Sequence, residues 1–207
     1  MHSKRLTRLK ELQAWQAARL AATYADFARQ PRYRDATRFF LEDVYGAKDF
    51  SRRDEAIRRI LPTMARVLPK KAVDVVTLAL QLEALTNDLD RRVAAALPAG
   101  RITEAGYAQA NRDACPREER ERQVELIVAV GQRLDAVVRK PLVQGTLQIM
   151  RQPARAAGLA DLQDFLERGF RAFRSMHGAH EFLEALRERE TAILDEIYGE
   201  VRRARSA

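Results

Sequence analysis

The chain has 207 residues and a net charge of +8, from 37 lysines and arginines against 29 acids. A single cysteine excludes an internal disulfide framework and is typical of a reducing cytosol. No run approaches about 18 uninterrupted apolar residues, and no apolar stretch follows the basic N-terminus, so the sequence predicts no membrane span and no secretory signal. We therefore expect a cytoplasmic protein.

Apolar periodicity predicts helices along the whole chain and no strands. Helix-forming residues dominate, and glycine is scarce at 9 residues. The expected helices run from about 6 to 29, 35 to 45, 51 to 68, 70 to 97, 103 to 112, 117 to 138, 141 to 151, 159 to 176 and 179 to 201. The predicted fold class is all-α, a bundle of eight or nine helices in one domain, 1–207, with frayed ends at 1–5 and 203–207.

Two helices are expected at the centre, at about 70–97 and 117–138, because their apolar faces are the most continuous. Leu78 and Leu82 lie on the first of these faces, and Ile127 and Leu134 on the second. A second apolar face in the first half of the 70–97 helix predicts that this half is buried on most sides. On the first helix of the chain, Gln16 shares a face with leucines.

Turn signals are densest between the second and third predicted helices. Gly46 is predicted to end one helix in a left-handed conformation, and Ser51 to cap the next. Acids and arginines alternate around them, which favours an ion-pair lattice; the alternative is a polar recognition surface. This candidate recognition corner consists of Arg38, Glu42, Asp43, Tyr45, Asp49, Arg52, Arg53 and Asp54.

Further along the chain, caps and prolines divide the remaining helices. Thr103 is predicted to cap a short helix, and Pro116 and Pro141 are each expected in the first position of a helix. The stretch 153–158, which begins with proline and ends with glycine, is predicted to be a connection.

Several blocks resemble a bacterial family of uncharacterised proteins. They are FFLEDVYG at 39–46, DFSRRD at 49–54, the pair Leu61-Pro62, ERQVELIVAVGQRLD from Glu121 and PARAAGLADLQDFLERGF from Pro153. The resemblance covers most of the chain, about 6–198. It implies an all-helical bacterial domain and transfers no catalytic residue.

His177 and His180 form an H-x-x-H pattern that would place both rings on one side of a continuous helix, where they would suit a metal ion. Gly178 between them indicates a helix junction, and a metal would also need carboxylates such as Glu181. Histidines near helix ends are therefore the favoured interpretation, and no metal is predicted. Neighbouring phenylalanines are more typical of a core than of a haem pocket, so no cofactor is predicted.

Cys115 is a candidate reactive thiol. It is expected at a helix N-terminus near Arg117 and Arg120, an environment that lowers a thiol pKa. No histidine is nearby in sequence to act as a base, so an inert capping cysteine is favoured over a nucleophile.

Three classes of function are left by this pattern. The leading one is a non-enzymatic interaction or scaffold protein of the bacterial cytosol, with a second copy or another protein as partner. The alternative is a helical protein with an apolar cavity for a lipid-like molecule or haem. An enzyme or a nucleic-acid-binding protein ranks third, because no catalytic motif is found and the basic stretches lack interleaved aromatics.

Overall fold

Residues 2–44 and 70–199 are described by the structure, a computed structural model, and within them the backbone is helical with no strand. The described part contains nine α-helices and one π-helical turn: α1 (His2–Thr23), α2 (Ala25–Arg29), α3 (Arg34–Phe39), the π-turn (Phe40–Val44), α4 (Lys70–Ala96), α5 (Glu104–Ala114), α6 (Arg117–Val138), α7 (Pro141–Ala156), α8 (Ala160–Ser175) and α9 (His180–Tyr198). The all-α prediction is confirmed. In this part of the chain, every helix is too short or too polar to cross a membrane.

The central position of α6 is confirmed, since it packs against α4, α7, α8 and α9. Its contact with α9 is close at Gly131, where a Cβ atom would overlap the side chain of Leu183. One apolar cluster lies between α1, α3, α6 and α9 around Phe182. A second, around Leu89, lies where α1, α4 and α5 meet.

The first half of α4 departs from the prediction. Residues 73–76 are half-buried, and so are Leu78 and Leu82. The second half is buried as expected, with Leu89 and Val93 fully inaccessible. Full burial in α4 is therefore confined to one side of its second half, where the helix packs against α1, α5 and α6.

The first predicted helix is interrupted at Tyr24, whose backbone leaves the helical region between α1 and α2. Tyr24 at the break and Phe27 just after it both contact the ring of Phe182, with centroid distances of 6.3 and 5.4 Å. Periodicity alone carries the same apolar face straight through Tyr24, so the sequence did not predict this break.

Among the predicted helix ends, Thr103 caps α5 as expected, its Oγ1 accepting a hydrogen bond from the Gly106 backbone N–H at 3.1 Å. Pro141 lies in the first turn of α7, also as expected, whereas Pro116 is the residue before α6. The predicted end of α9 near 201 is corrected to Tyr198, followed by Gly199 in a left-handed conformation.

The predicted connection at 153–158 is wrong, because α7 continues to Ala156 with Pro153 inside it. The bond that a proline removes is the one to the carbonyl four residues earlier, here on the exposed side of α7 at Ile149. Water can hydrate that carbonyl, so the helix continues. Gly46, Ser51 and the predicted helix at 51–68 lie outside the described residues.

Candidate functional site

Polar side chains meet in the interior where α1, α4, α5, α6 and α9 converge. They surround a cavity of about 70 Å³, hereafter the Arg120 cavity. The polar groups that matter most for its chemistry are Gln16, Arg19, Asp90, Asn111, Arg120 and Glu190. This is an unusual content for a protein interior, because charged residues are almost never fully buried unless they are paired.

Arg120 is held along one edge only. The side chain is 5% exposed, and its Nη1 donates to Gln123 Oε1 at 2.9 Å. Gln123 is fixed in turn, since its Nε2 donates to Thr86 Oγ1 at 2.8 Å. Within the described part of the chain, Arg120 Nε and Nη2 have no oxygen or nitrogen as hydrogen-bond partner, and the Cys115 thiol is close enough to interact with this side chain. These two nitrogens flank one edge of the planar guanidinium, the edge that binds both oxygens of a carboxylate.

Asp90 supplies the negative charge of the same interior. It is 4% exposed, and Oδ1 accepts a hydrogen bond from Gln16 Nε2 at 3.1 Å. Burial raises the pKa of this carboxyl, and the charge of Arg120 and the hydrogen bond from Gln16 oppose that rise. The cation and the acid thus stabilise each other's charged forms.

On the opposite wall, Arg19 and Glu190 form a second pair of charges, with 3.9 Å between Arg19 Nη2 and Glu190 Oε2. Tyr24 Oη donates to Glu190 Oε1 at 2.9 Å. Asn111 Nδ2 donates to the Tyr107 carbonyl at 2.9 Å, and Asn111 Oδ1 has no partner among the described residues. Two of the residues that line the cavity, Arg120 and Asn111, therefore keep buried polar atoms without an oxygen or nitrogen partner in the described part of the chain.

The outer surface of α7 exposes large apolar side chains, whereas the Arg120 cavity buries charged ones. Leu142 is 72% exposed, Ile149 77% and Met150 43%. They share one side of the helix with Gly145 and Pro153, and a Cβ built on Gly145 would meet open space. The helix carries arginines and no acid. We call this set of residues the α7 face.

The two candidate metal ligands do not share a helix. His177 follows α8 with a positive φ of 52°, and His180 is the first residue of α9. Glu181, a carboxylate that a metal would need there, instead bonds to Tyr33 and lies 3.4 Å from Arg32. In the described ranges, no three residues of the metal-binding types gather closely enough to hold an ion.

Cys115 ends α5 and is 2% exposed, with Sγ 3.9 Å from the Leu89 carbonyl oxygen. Burial raises the pKa of its thiol, and Arg120 and Arg92 lower it to a smaller extent. The net direction is opposite to the expectation for a reactive thiol, because desolvation outweighs the arginines.

Three residues of the candidate recognition corner lie in the described part. Arg38 and Glu42 are exposed, whereas Asp43 is buried and accepts from Arg168 Nε and Nη2 of α8 at 3.1 and 2.9 Å. The remaining members, Tyr45, Asp49, Arg52, Arg53 and Asp54, lie outside the described residues. The recognition role of this corner stays a prediction.

Sequence reasoning missed Asp90, Arg120 and Gln123. The sequence does carry a signal for the last two. Val124 and Ile127 belong to the apolar stripe of α6, and Arg120 and Gln123 lie one turn before them on the same side of the helix. Gln16 gave a similar signal, since it lies on the apolar face of α1. Asp90 gives a signal of the same kind, since it lies one turn before Val93 and Ala94 on α4.

The chain belongs to a family described as a domain of unknown function, DUF8198, whose model matches residues 1–203. The prediction that it belongs to an uncharacterised family is therefore confirmed. No curated protein and no solved structure matches the chain. Family membership assigns no activity, so function has to be inferred from the Arg120 cavity and the α7 face.

Proposed function

We propose that this protein is a non-enzymatic interaction protein of the bacterial cytosol that binds through the α7 face, and that its partner there is a second copy of itself. The exposure of Leu142 and Ile149, at 72% and 77%, carries this proposal. Large apolar side chains gathered on one surface mark interaction sites in soluble proteins, because their hydration is unfavourable until a partner covers them.

Self-association is favoured over another partner by the arrangement of the α7 face along its helix. Leu142 and Ile149 lie at equal distances along the chain from the midpoint between Gly145 and Thr146. In an antiparallel pairing about a two-fold axis at that midpoint, Leu142 of each copy would meet Ile149 of the other. Gly145, which has open space around it, would let the two helices approach closely.

The charges near the α7 face are compatible with this pairing. In the antiparallel register, Lys140 would lie opposite Arg151 of the second copy. Arg151 is already neutralised within its own chain, since its Nε and Nη2 donate to the two carboxylate oxygens of Glu167, each at 2.7 Å. The pairing therefore does not bring two unpaired cations together.

The expected dimer is weak. A standard stable interface buries about 800 Å² on each partner, and a single exposed helix face covers less than that. Association should therefore depend strongly on protein concentration. Such an interface suits a protein whose assembly is reversible.

The competing ligand-binding function is favoured by one observation, the Arg120 cavity. This cavity does not suit the lipid-like molecule or haem that the sequence analysis considered. A cavity of about 70 Å³ with a charged lining is too small and too polar for haem or a lipid chain. An interior site for a small polar molecule is compatible with an interaction protein.

Sedimentation velocity over about a hundredfold concentration range tests the proposal. The wild type should shift from monomer towards dimer as concentration rises, and Ile149→Asp should stay monomeric. Gln148→Asp is the matched control, since it adds the same charge at an exposed position on the neighbouring side of α7. It should associate like the wild type.

Two results would overturn the proposal. A wild type that stays monomeric throughout the range excludes the second copy as partner. A thermal melt in which Ile149→Asp unfolds at a clearly lower temperature than Gln148→Asp shows that other parts of the same chain cover Ile149, and hence that the α7 face is not a free surface.

A further inference from the structure

We propose that the Arg120 cavity is a binding site for a small monovalent carboxylate, with the Nε–Nη2 edge of Arg120 as its anion receptor. The site is distinct from the α7 face, since no residue of α7 lines the cavity. Nothing in this proposal depends on whether the protein self-associates.

The first argument is the orientation of Arg120. Gln123, itself held by Thr86, fixes one side of the guanidinium, and the Nε–Nη2 edge keeps two buried N–H groups with no oxygen or nitrogen partner within the described chain; the Cys115 thiol is the neutral group beside this side chain. Buried donors are nearly always hydrogen-bonded, and an unsatisfied pair on a charged group is especially unfavourable. Two parallel N–H groups on one edge match the two oxygens of a carboxylate.

The size of the cavity limits the ligand. Its volume is about 70 Å³, roughly half of the 150 Å³ that accommodates benzene in an engineered apolar cavity. A ligand of about three to five non-hydrogen atoms is therefore expected. Formate, acetate and glycolate fall within this range.

The charge of the lining favours a monoanion. Two cations, Arg120 and Arg19, face two acids, Asp90 and Glu190, so the four charges sum to zero when both acids are ionised. Burial raises the pKa of Asp90, which can only shift this sum towards positive. One additional negative charge can be stabilised by the unpaired edge of Arg120. A dianion such as hydrogen phosphate would leave a second charge uncompensated in a buried site, which is strongly unfavourable.

Asn111 refines the choice among these acids. Asn111 lines the same cavity, and its buried Oδ1 lacks a hydrogen-bond donor among the described residues. A carboxylate that also carries a hydroxyl group would satisfy both the guanidinium edge and this acceptor. We therefore expect glycolate to bind more tightly than acetate.

Binding can be followed through Trp15, which is the single tryptophan of the chain. Its ring lies 4.6 Å from the ring of Tyr107, a residue that lines the cavity. Sodium formate, acetate and glycolate are titrated at constant ionic strength while tryptophan fluorescence is recorded, and calorimetry gives the stoichiometry. Saturable binding of one carboxylate per chain is expected, and acetamide, the neutral analogue of acetate, should not bind.

Two substitutions test the role of each charge. Asp90→Asn keeps Arg120 and removes a negative charge near the bound anion, so carboxylate affinity should rise several-fold. Adding Arg120→Met to that variant avoids leaving a buried acid without its cation, and it should lower affinity by about tenfold or more, as expected for loss of a charged hydrogen bond. Arg122→Met is the matched control, since it removes an exposed arginine from the same helix.

Three results would overturn the proposal. If no carboxylate gives a saturable signal in either the wild type or Asp90→Asn, the cavity holds water only. If acetamide binds as tightly as acetate, the site does not recognise an anion. If the folded Arg120→Met/Asp90→Asn variant binds as tightly as Asp90→Asn, the carboxylate binds elsewhere.

Discussion

The α7 face and the Arg120 cavity break the usual distribution of residues in opposite directions. Ile149 is apolar and 77% exposed, whereas Arg120 is charged and 5% exposed. In a folded protein, the first arrangement leaves apolar area in water and the second leaves polar groups without it. Each region would therefore be stabilised by binding a partner that the isolated chain does not provide.

The two anomalies differ in how specific their missing partner must be. Apolar hydration scales with area and has no direction, so any apolar surface of suitable shape relieves it. Two unpaired N–H groups on a fixed guanidinium edge require oxygens at defined positions. The α7 face therefore predicts a weak contact that depends on area, and the Arg120 cavity predicts a small ligand of one chemical class.

The largest difference between interior and surface is expected for matched leucine substitutions. Leu89 is fully buried in α4, and Leu89→Ala should lower the free energy of unfolding by about 2–5 kcal/mol through lost contacts and a new cavity. Leu142 is 72% exposed, and Leu142→Ala should change it by less than about 0.5 kcal/mol. Urea denaturation at low protein concentration measures both. A Leu142→Ala cost comparable to that of Leu89→Ala would contradict the free α7 face.

The next effect concerns the buried charges. Arg120→Met alone should destabilise the protein by about 2–4 kcal/mol, because Asp90 would remain in the interior without its cation. Adding Asp90→Asn should recover part of that loss. A double-mutant cycle from urea denaturation gives the coupling energy of the two charges, and additive effects would show that they do not interact.

Apolar periodicity in the sequence predicts some features of these two regions and not others. Helix existence was predictable because apolar residues recur every three or four positions, and the central role of α6 followed from its continuous stripe. Periodicity shows that a helix has an apolar side but not that a neighbour covers it, so nothing in the sequence marks Leu142 and Ile149 as exposed.

The Arg120 cavity was hidden for a different reason. Asp90 and Arg120 lie on different helices, and only the packing of α4 against α6 brings them together. A polar residue in phase with an apolar stripe, as Arg120 and Gln16 are, was the available clue. The single-domain prediction and the corner around Gly46 remain predictions, the latter because it lies outside the described residues.

A smaller, pH-dependent effect is expected beside the α7 face, where Arg151 binds Glu167 of α8. The hydrogen bonds from Arg151 lower the pKa of Glu167 to about 2, below its ordinary value of 4.5. The ion pair therefore stabilises the fold above about pH 4.5, and this contribution is lost as pH falls through about 2. Because Arg151 is half-exposed, solvent screening keeps this contribution small.

Glu167→Gln tests this ion pair. Urea denaturation should show the variant less stable than the wild type at pH 7, with the difference shrinking as pH falls towards 2. A difference that stays constant across this range would mean that Glu167 acts through packing or neutral hydrogen bonds rather than through its charge.

The smallest expected change in stability is that of Gly145→Ala, and its effects on stability and on association should have opposite directions. Gly145→Ala should raise the free energy of unfolding by about 0.5–1 kcal/mol, because alanine stabilises a helix interior and the new Cβ meets nothing within 4 Å. In Gly131→Ala on α6, the same gain is opposed by overlap with Leu183, so this variant should be the less stable of the two.

At the proposed two-fold axis, however, the methyl group of Gly145→Ala would separate the paired helices. The variant should therefore melt at a higher temperature than the wild type in dilute solution and yet associate more weakly in sedimentation velocity. Stabilisation with unchanged association would place the dimer contact away from Gly145, and destabilisation would show that the α7 face is packed against the chain itself.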